Sequence, residues 1–348
     1  MMKKKLALLM AAAISLTGLA GCGSSTSSSG TSSTGSSGTP AAGSVKTGLG
    51  VVSSVSSSAV KDGKGTAAAT ITAAAVTVDA DGKIVKCVID GLNANVEFDA
   101  AGKLLTPATT AFQSKNELGD GYNMKSQSSI GKEWNEQAAA FAEYVTGKTA
   151  AEVKGIALSN EGTPSDAELS ASVTVHIGDF ISVIEKAIAN ATVTGAEAAD
   201  KLGLAIVSSA NQSADAGEKA GLAQAYSFFA ATTTGSDGKI TSCVLDGLQN
   251  KVNFDTTGAI TSDVKAEQKT KNELGDGYNM KSQSGIGKEW NEQAASFASY
   301  VTGKTADEVK GIALSDEGTP SDAELSSSVT IHVTDFITVV EKAVSSAK

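Results

Sequence analysis

Residues 116–187 and 272–343 are nearly the same text written twice, at a constant offset of 156, with 11 differences in 72 positions. The segment "KNELGDGYNMKSQSSIGKEWNEQAA" from Lys115 returns as "KNELGDGYNMKSQSGIGKEWNEQAA" from Lys271. Upstream the match weakens but persists. "KIVKCVIDGLNANVEFD" from Lys83 answers "KITSCVLDGLQNKVNFD" from Lys239, and "GLGVVSS" from Gly48 answers "GLAIVSS" from Gly203, where the offset is 155. A period this long is not a solenoid repeat. It predicts two tandem copies of one domain, at 45–192 and 195–348, with "NATVTGAEA" as a simple linker.

Each copy reads as α+β. Thr66 to Val78 is rich in Ala, Thr, Ile and Val, and Asp79-Ala80-Asp81-Gly82 supplies a turn. Lys83 to Asp90 alternates, with Val85, Cys87 and Ile89 on one face and Ile84, Lys86 and Val88 on the other. Val96 and Phe98 continue the pattern. This is an antiparallel meander with one buried face. In "IGKEWNEQAAAFAEYVTGK", Trp134, Ala138, Phe141 and Val145 share a helical stripe that Gly147 ends. Thr149…Glu152 and Thr305…Glu308 are capping boxes. "SVTVHI" alternates like a strand, with Val173, Val175 and Ile177 inward. Asp179 is placed to cap a last helix carrying Ile181, Ile184 and Ile188. The expected unit is one sheet with helices packed on a face.

The first 44 residues precede these copies. Lys3, Lys4 and Lys5 lead into an apolar run, Leu6 to Leu16, too short to span a bilayer. Leu19-Ala20-Gly21-Cys22 follows, the pattern of a lipoprotein signal at 1–21 with Cys22 lipidated. Positions 22–44 read as a flexible Ser/Thr/Gly tether. The expected location is the outer face of a cell membrane, held through lipid on Cys22.

The formal charge is −10, and removing the three signal lysines leaves −13. No arginine occurs. Such a chain has no electrostatic footprint for nucleic acid. Cys87 and Cys243 occupy matching places, without CxxC, CxxCH or a Cys/His cluster, so haem, iron–sulfur and structural zinc lack ligands. A small buried hydrophobe is the expected role of each, and a disulfide between the copies is the alternative.

Candidate chemistry is sparse. The polar, glycine-bearing loop "NELGDGYNMKSQSS" leads into the tryptophan helix, and Ser128, Ser129, Gly131 and Lys132 are expected in its first turn. Unpaired N–H groups, the helix dipole and a lysine would attract an anion there. Tyr122 and Met124 would offer a soft surface to an aromatic ring. The candidate cofactor-binding residues are Tyr122, Ser128, Lys132, Tyr278, Ser284 and Lys288; the alternative is an N-cap and a loop folded on the sheet. His176 and His332 alternate away from the core valines and have no second ligand in sight. "DADG" at Asp79 lacks the rest of a calcium loop.

The lipobox, the tether, "GLGVVSS", "DGKIVKCVID" and "ELGDGYNMK…IGKEW" together resemble the tandem-domain surface lipoproteins of Gram-positive bacteria, of the pheromone-encoding, flavin-carrying type used in extracellular electron transfer. The resemblance covers nearly the whole chain after the signal. It implies FMN as cofactor, attached through its phosphate by a flavin transferase, a membrane quinol oxidase as electron donor, and a pheromone released from the signal peptide. The family's acceptor pattern, [Ser/Thr]-Gly-Ala-[Ser/Thr], is absent. The nearest text is Thr47-Gly48-Leu49-Gly50, and the second copy has Leu202 where the first has Thr47. Two readings follow: an anchored redox carrier rather than a turnover enzyme, or a cofactor-free binding or structural module of the cell envelope whose doubling supplies avidity.

Overall fold

A computed structural model describes residues 43–348. The signal, Cys22 and almost all of the tether lie outside the described residues. Asp62 and Gly63, with φ of 54° and 83°, turn the chain between β1 (Ser44–Lys61) and β2 (Lys64–Val78). Left-handed backbone at both central residues matches the twist of the strands it joins. A second turn at Gly82 leads to β3 (Ile84–Phe98), completing an antiparallel meander. The second repeat gives the corresponding β6 (Lys201–Ser209), β7 (Gly221–Thr234) and β8 (Ile240–Phe254). Two short strands complete two four-stranded antiparallel sheets, ordered β3-β2-β1-β5 and β4-β6-β7-β8, with β4 at Ala111–Phe112 and β5 at Val193–Glu197. The protein is α+β.

After its strands each repeat turns helical. In the first these are α1 (Lys115–Leu118), a 3-10 turn (Gly119–Tyr122), α2 (Trp134–Val145), α3 (Ala150–Lys154), α4 (Ala167–Ser170) and α5 (Gly178–Ala189). In the second they are α6 (Lys271–Leu274), a 3-10 turn (Gly275–Tyr278), α7 (Trp290–Val301), α8 (Ala306–Lys310), α9 (Ala323–Ser326) and α10 (Thr334–Ser346). No helix among the described residues is long and apolar enough to cross a membrane.

Four layers result. α2 and α5 cover one face of the first sheet, where Trp134, Phe141, Phe180 and Ile184 pack on Val76 and Ile89. α7 and α10 cover the second sheet in the same way. The other faces of the two sheets pack on each other: Leu49, Ile71 and Leu92 meet Leu204, Phe229 and Leu248. Residues 43–348 therefore form one compact unit. Both faces of each sheet are buried, not the one face expected, because the partner sheet covers the side that would otherwise need polar residues. The linker of the sequence reading is β5, paired to β1 through Val45↔Ala196 and Thr47↔Val193.

The "GLG" and "GLA" texts have a packing cause. A Cβ on Gly48 would sit 2.0 Å from the Ala187 carbonyl oxygen, and one on Gly203 1.8 Å from that of Ala343. α5 and α10 lie directly on the strand backbone there. A register shift at the start of β3 also puts Ile84 on the helix side with Cys87 and Ile89, opposite to strict alternation.

"SVTVHI" is not a strand. Gln137, wholly buried in α2, accepts the backbone N–H groups of Thr174 and Val175 at 2.7 and 3.2 Å. A side-chain amide supplies what a neighbouring strand would. Val173 and Ile177 are buried as expected, and His176 and His332 are exposed. Asp179 lies inside the first turn of α5, whose N-cap is Ile177. Both capping boxes form.

Candidate functional site

Most polar groups of the duplicated segment are spent on holding it together. Ser114 and Glu117 cap α1 reciprocally, as Thr270 and Glu273 cap α6. The next N–H, that of Asn116, donates to Asp90 Oδ1 at 3.0 Å, and the Asn116 side chain donates to the Ile89 carbonyl at 2.9 Å. Asn272 treats Asp246 and Leu245 alike. Both aspartates are buried. Burial pushes Asp90 up to about 6 and Asp246 up to about 7, against the opposing pull of Ser114 or Thr270 and the backbone N–H donors.

α2 starts at Trp134, so Ser128, Ser129, Gly131 and Lys132 precede its first turn rather than forming it. The loop closes around buried Glu133, whose carboxylate accepts the N–H groups of Met124 and Lys125, both at 2.9 Å. The Glu136 carboxylate accepts the Glu133 N–H at 2.7 Å. Glu289 and Glu292 repeat this arrangement. Burial pushes the Glu289 carboxyl up, but the N–H groups of Lys281, Met280 and Trp290 outweigh it and hold it below its ordinary value. The loop and helix start thus already hold anions, and these are the protein's own carboxylates.

The candidate residues separate accordingly. Ser128 Oγ accepts from Gln137 Nε2 at 3.2 Å, as does the Lys132 carbonyl; Ser284 and Lys288 do the same with Gln293. Lys288 Nζ turns to Ser296 Oγ, 3.1 Å away. Tyr122 Oη accepts from Asn93 at 3.4 Å. Tyr278 and Ser284 do come together. With Met280, Gln283, Gln293 and Ile331 they line a pocket of about 590 Å³.

Behind that pocket the repeats differ. Lys271 is 2% exposed. Its ammonium lies 4.6 Å from the ring centroids of Tyr278 and Trp290, 4.7 Å from Tyr226 and 5.9 Å from Phe228, and it donates to Tyr226 Oη. Burial, helped by neighbouring Lys251 and opposed by Asp246, brings its pKa down to about 7. Lys115, its counterpart, is half-buried over Trp134 and Tyr122 only, because Thr70 and Thr72 stand where the second repeat has Tyr226 and Phe228. The cage was missed in the sequence because its members come from β7, α6, a 3-10 turn and α7. The doubled aromatics at Tyr226-Ser227-Phe228-Phe229, against Thr70-Ile71-Thr72-Ala73, were the available signal.

A larger cleft, about 1100 Å³, lies between the repeats, lined by Val88, Asp90, Asn116, Leu204, Ile206 and Lys342 among others. Its counterpart, beside Asp246 and Val51, is about 330 Å³. β5 narrows the second: a Cβ on Gly195 would lie 2.7 Å from the Thr241 carbonyl oxygen of β8. Ion pairs cross between the repeats at both places, Lys342 to Glu117 at 2.5 Å and Lys186 to Glu273 at 2.6 Å.

Other sequence candidates are accounted for. Asp79 Oδ1 accepts the N–H groups of Asp81 and Lys83, a turn and not a calcium loop. No cluster of metal-ligating side chains occurs among the described residues. Cys87 and Cys243 are free thiols on the helix sides of different sheets, so no disulfide joins the copies, and burial pushes both up to about 12. Thr47, nearest to an acceptor motif, is wholly buried with its hydroxyl 2.6 Å from that of Ser242.

The fold and site thus define an α+β protein of four layers with one neutral, aromatic-walled pocket in the second repeat and a cleft between repeats. No family model, curated protein or solved structure matches the chain.

Proposed function

We propose that the protein is a membrane-anchored, outward-facing electron carrier that holds a flavin, with the flavin ring against Tyr278. The observation that carries this reading is the pocket of about 590 Å³ in the second copy of the duplicated segment, walled by Tyr278 and Met280 and lined by neutral polar groups. A planar ring fits such a lining, since an aromatic wall and a thioether pack on its face while amides and hydroxyls meet its polar edge. A free phosphate does not fit the adjoining helix start, where Glu289 and Glu292 already take the N–H groups. The phosphate is therefore directed away from the helix start, in keeping with attachment through it. Thr47, wholly buried, is not the acceptor in this reading. A bound flavin supplies the electron storage that the chain's own side chains lack; Tyr278 orients the ring and Gln293 holds the loop. The lipobox, the tether and the family resemblance support the anchored location.

Protein made with a flavin transferase is expected to be yellow, with flavin remaining on the chain after denaturation. Tyr278→Ala is expected to raise flavin fluorescence several-fold at unchanged flavin content, as a quenching ring is removed. Colourless protein with no flavin-bearing peptide by mass overturns the reading. The cleft between the repeats favours the second reading, a cofactor-free envelope binding module. In that case the two repeats act as one rigid body, and avidity from two independent domains does not apply.

A further inference from the structure

We propose that Lys271 is the positioning residue that sets the charge preference of the Tyr278 pocket: its ammonium, enclosed behind the pocket wall, favours a bound ring in its more negative state. The inference rests on the flavin-carrier reading. Tyr278 is the link, because it lines the pocket and its ring carries the Lys271 ammonium at 4.6 Å. The pocket lining itself carries no charged side chain. Lys271 is therefore a concealed charge close to it, and at 2% exposure it is weakly screened by solvent.

The groups facing Lys271 are few. β7 contributes Tyr226 and Phe228, α7 contributes Trp290, and the 3-10 turn contributes Tyr278. β8 contributes Asp246, which favours the ammonium, and Lys251, which opposes it. Farther out, Asp335 of α10 acts on Tyr226, and Glu289 at the start of α7 acts on Tyr278. Rings stabilise the cation through their faces but do not neutralise it. Lys115 lacks this enclosure, so the two repeats are unequal and the second is the one built to hold a charge-changing ligand.

Two electrons from dithionite and one proton from water would leave a bound flavin ring with one negative charge. The ammonium favours that state, and burial poises Lys271 near pH 7. The wild type should therefore have a higher midpoint potential than Lys271→Met at pH 6, by about 30 mV for a tenfold change in a two-electron equilibrium. The two should converge at pH 8.5. Lys271→Arg, charged throughout, should remain high at both. In flavin-free Trp134→Phe, Asp246→Asn protein, where neither the second tryptophan nor the neighbouring carboxyl contributes, Trp290 fluorescence should titrate near pH 7 and lose that step when Lys271→Met is added. Thermal melts check that each variant is folded.

Equal potentials in folded, flavin-bearing wild type and Lys271→Met at both pH values overturn this inference and leave the carrier reading standing. So does a Trp290 titration that, in the Trp134→Phe, Asp246→Asn background, survives Lys271→Met. Protein without flavin overturns the carrier reading and this inference with it.

Discussion

The rings of Phe98 and Phe254 lie parallel, their centroids 4.1 Å apart and their planes within 5°, each the last residue of the third strand of its repeat. Neither ring has any exposed surface. The pair is the clearest expression of a core that belongs to both repeats.

Truncating it should destabilise the whole molecule. Phe98→Ala and Phe254→Ala are each expected to cost about 3–5 kcal/mol, the range for burying a void where a phenyl ring stood. Calorimetry should show one unfolding transition in the wild type and in both variants. Two separable transitions, one per repeat, would contradict the shared core.

Gly48→Ala and Gly203→Ala test the closeness of helix to strand. A methyl group at either place must displace α5 or α10, because the atom it meets is a backbone carbonyl oxygen rather than a movable side chain. A loss of about 1–3 kcal/mol is expected for each, read by denaturant unfolding. Gly178→Ala, with open space around it and no left-handed backbone, is the comparison.

Gln137→Ala and Gln293→Ala should release the segment that follows the fourth helix of each repeat. Removing Gln137 strands the N–H groups of Thr174 and Val175 and frees Ser128. About 2–3 kcal/mol is expected from unsatisfied buried donors, with faster amide exchange at 172–177 in the first case and 328–333 in the second.

The buried ionisable groups give stability a dip near neutral pH. Asp90 and Asp246 have folded pKa values of about 6 and about 7, above the ordinary 3.8. The folded state therefore holds protons that the unfolded chain releases, and stability falls as pH rises from about 4 to about 7. Lys271 has the opposite sign. Its folded value of about 7 lies below the ordinary 10.5, so stability is recovered as pH rises from about 7 towards 10. Urea midpoints across pH should show the fall reduced in Asp246→Asn and the rise reduced in Lys271→Met.

Much of the local structure is legible in the sequence. The Trp134 stripe, both capping boxes and the strands around Ile71 and Ile89 follow from periodicity and local hydrogen bonding, which act within a few residues. β1 was less so, since six serines and two glycines dilute its five valines, and the turn at Asp62-Gly63 was the stronger signal. "SVTVHI" misleads because its alternation satisfies a loop held by Gln137, which lies 37 residues from Thr174 in sequence. At the candidate site the segment read as a loop is helical in its first half, through α1 and the 3-10 turn, and is a loop only from Asn123. Its carboxylate centre was not legible, because Glu133 and Met124 are brought together only when the chain closes on itself.

By itself the sequence determined that a 72-residue text is written twice, that the chain is α+β, where the capping-box helices α3 and α8 begin, and which residues seek a core. Those properties depend on side-chain chemistry over one or two turns. Only the tertiary structure decided that the copies share a core, that the linker becomes β5, and that Lys271 is enclosed while Lys115 is not. Each depends on surfaces far apart in the chain: two apolar sheet faces gain more by covering each other than by facing water, and their burial fixes which rings close around which lysine.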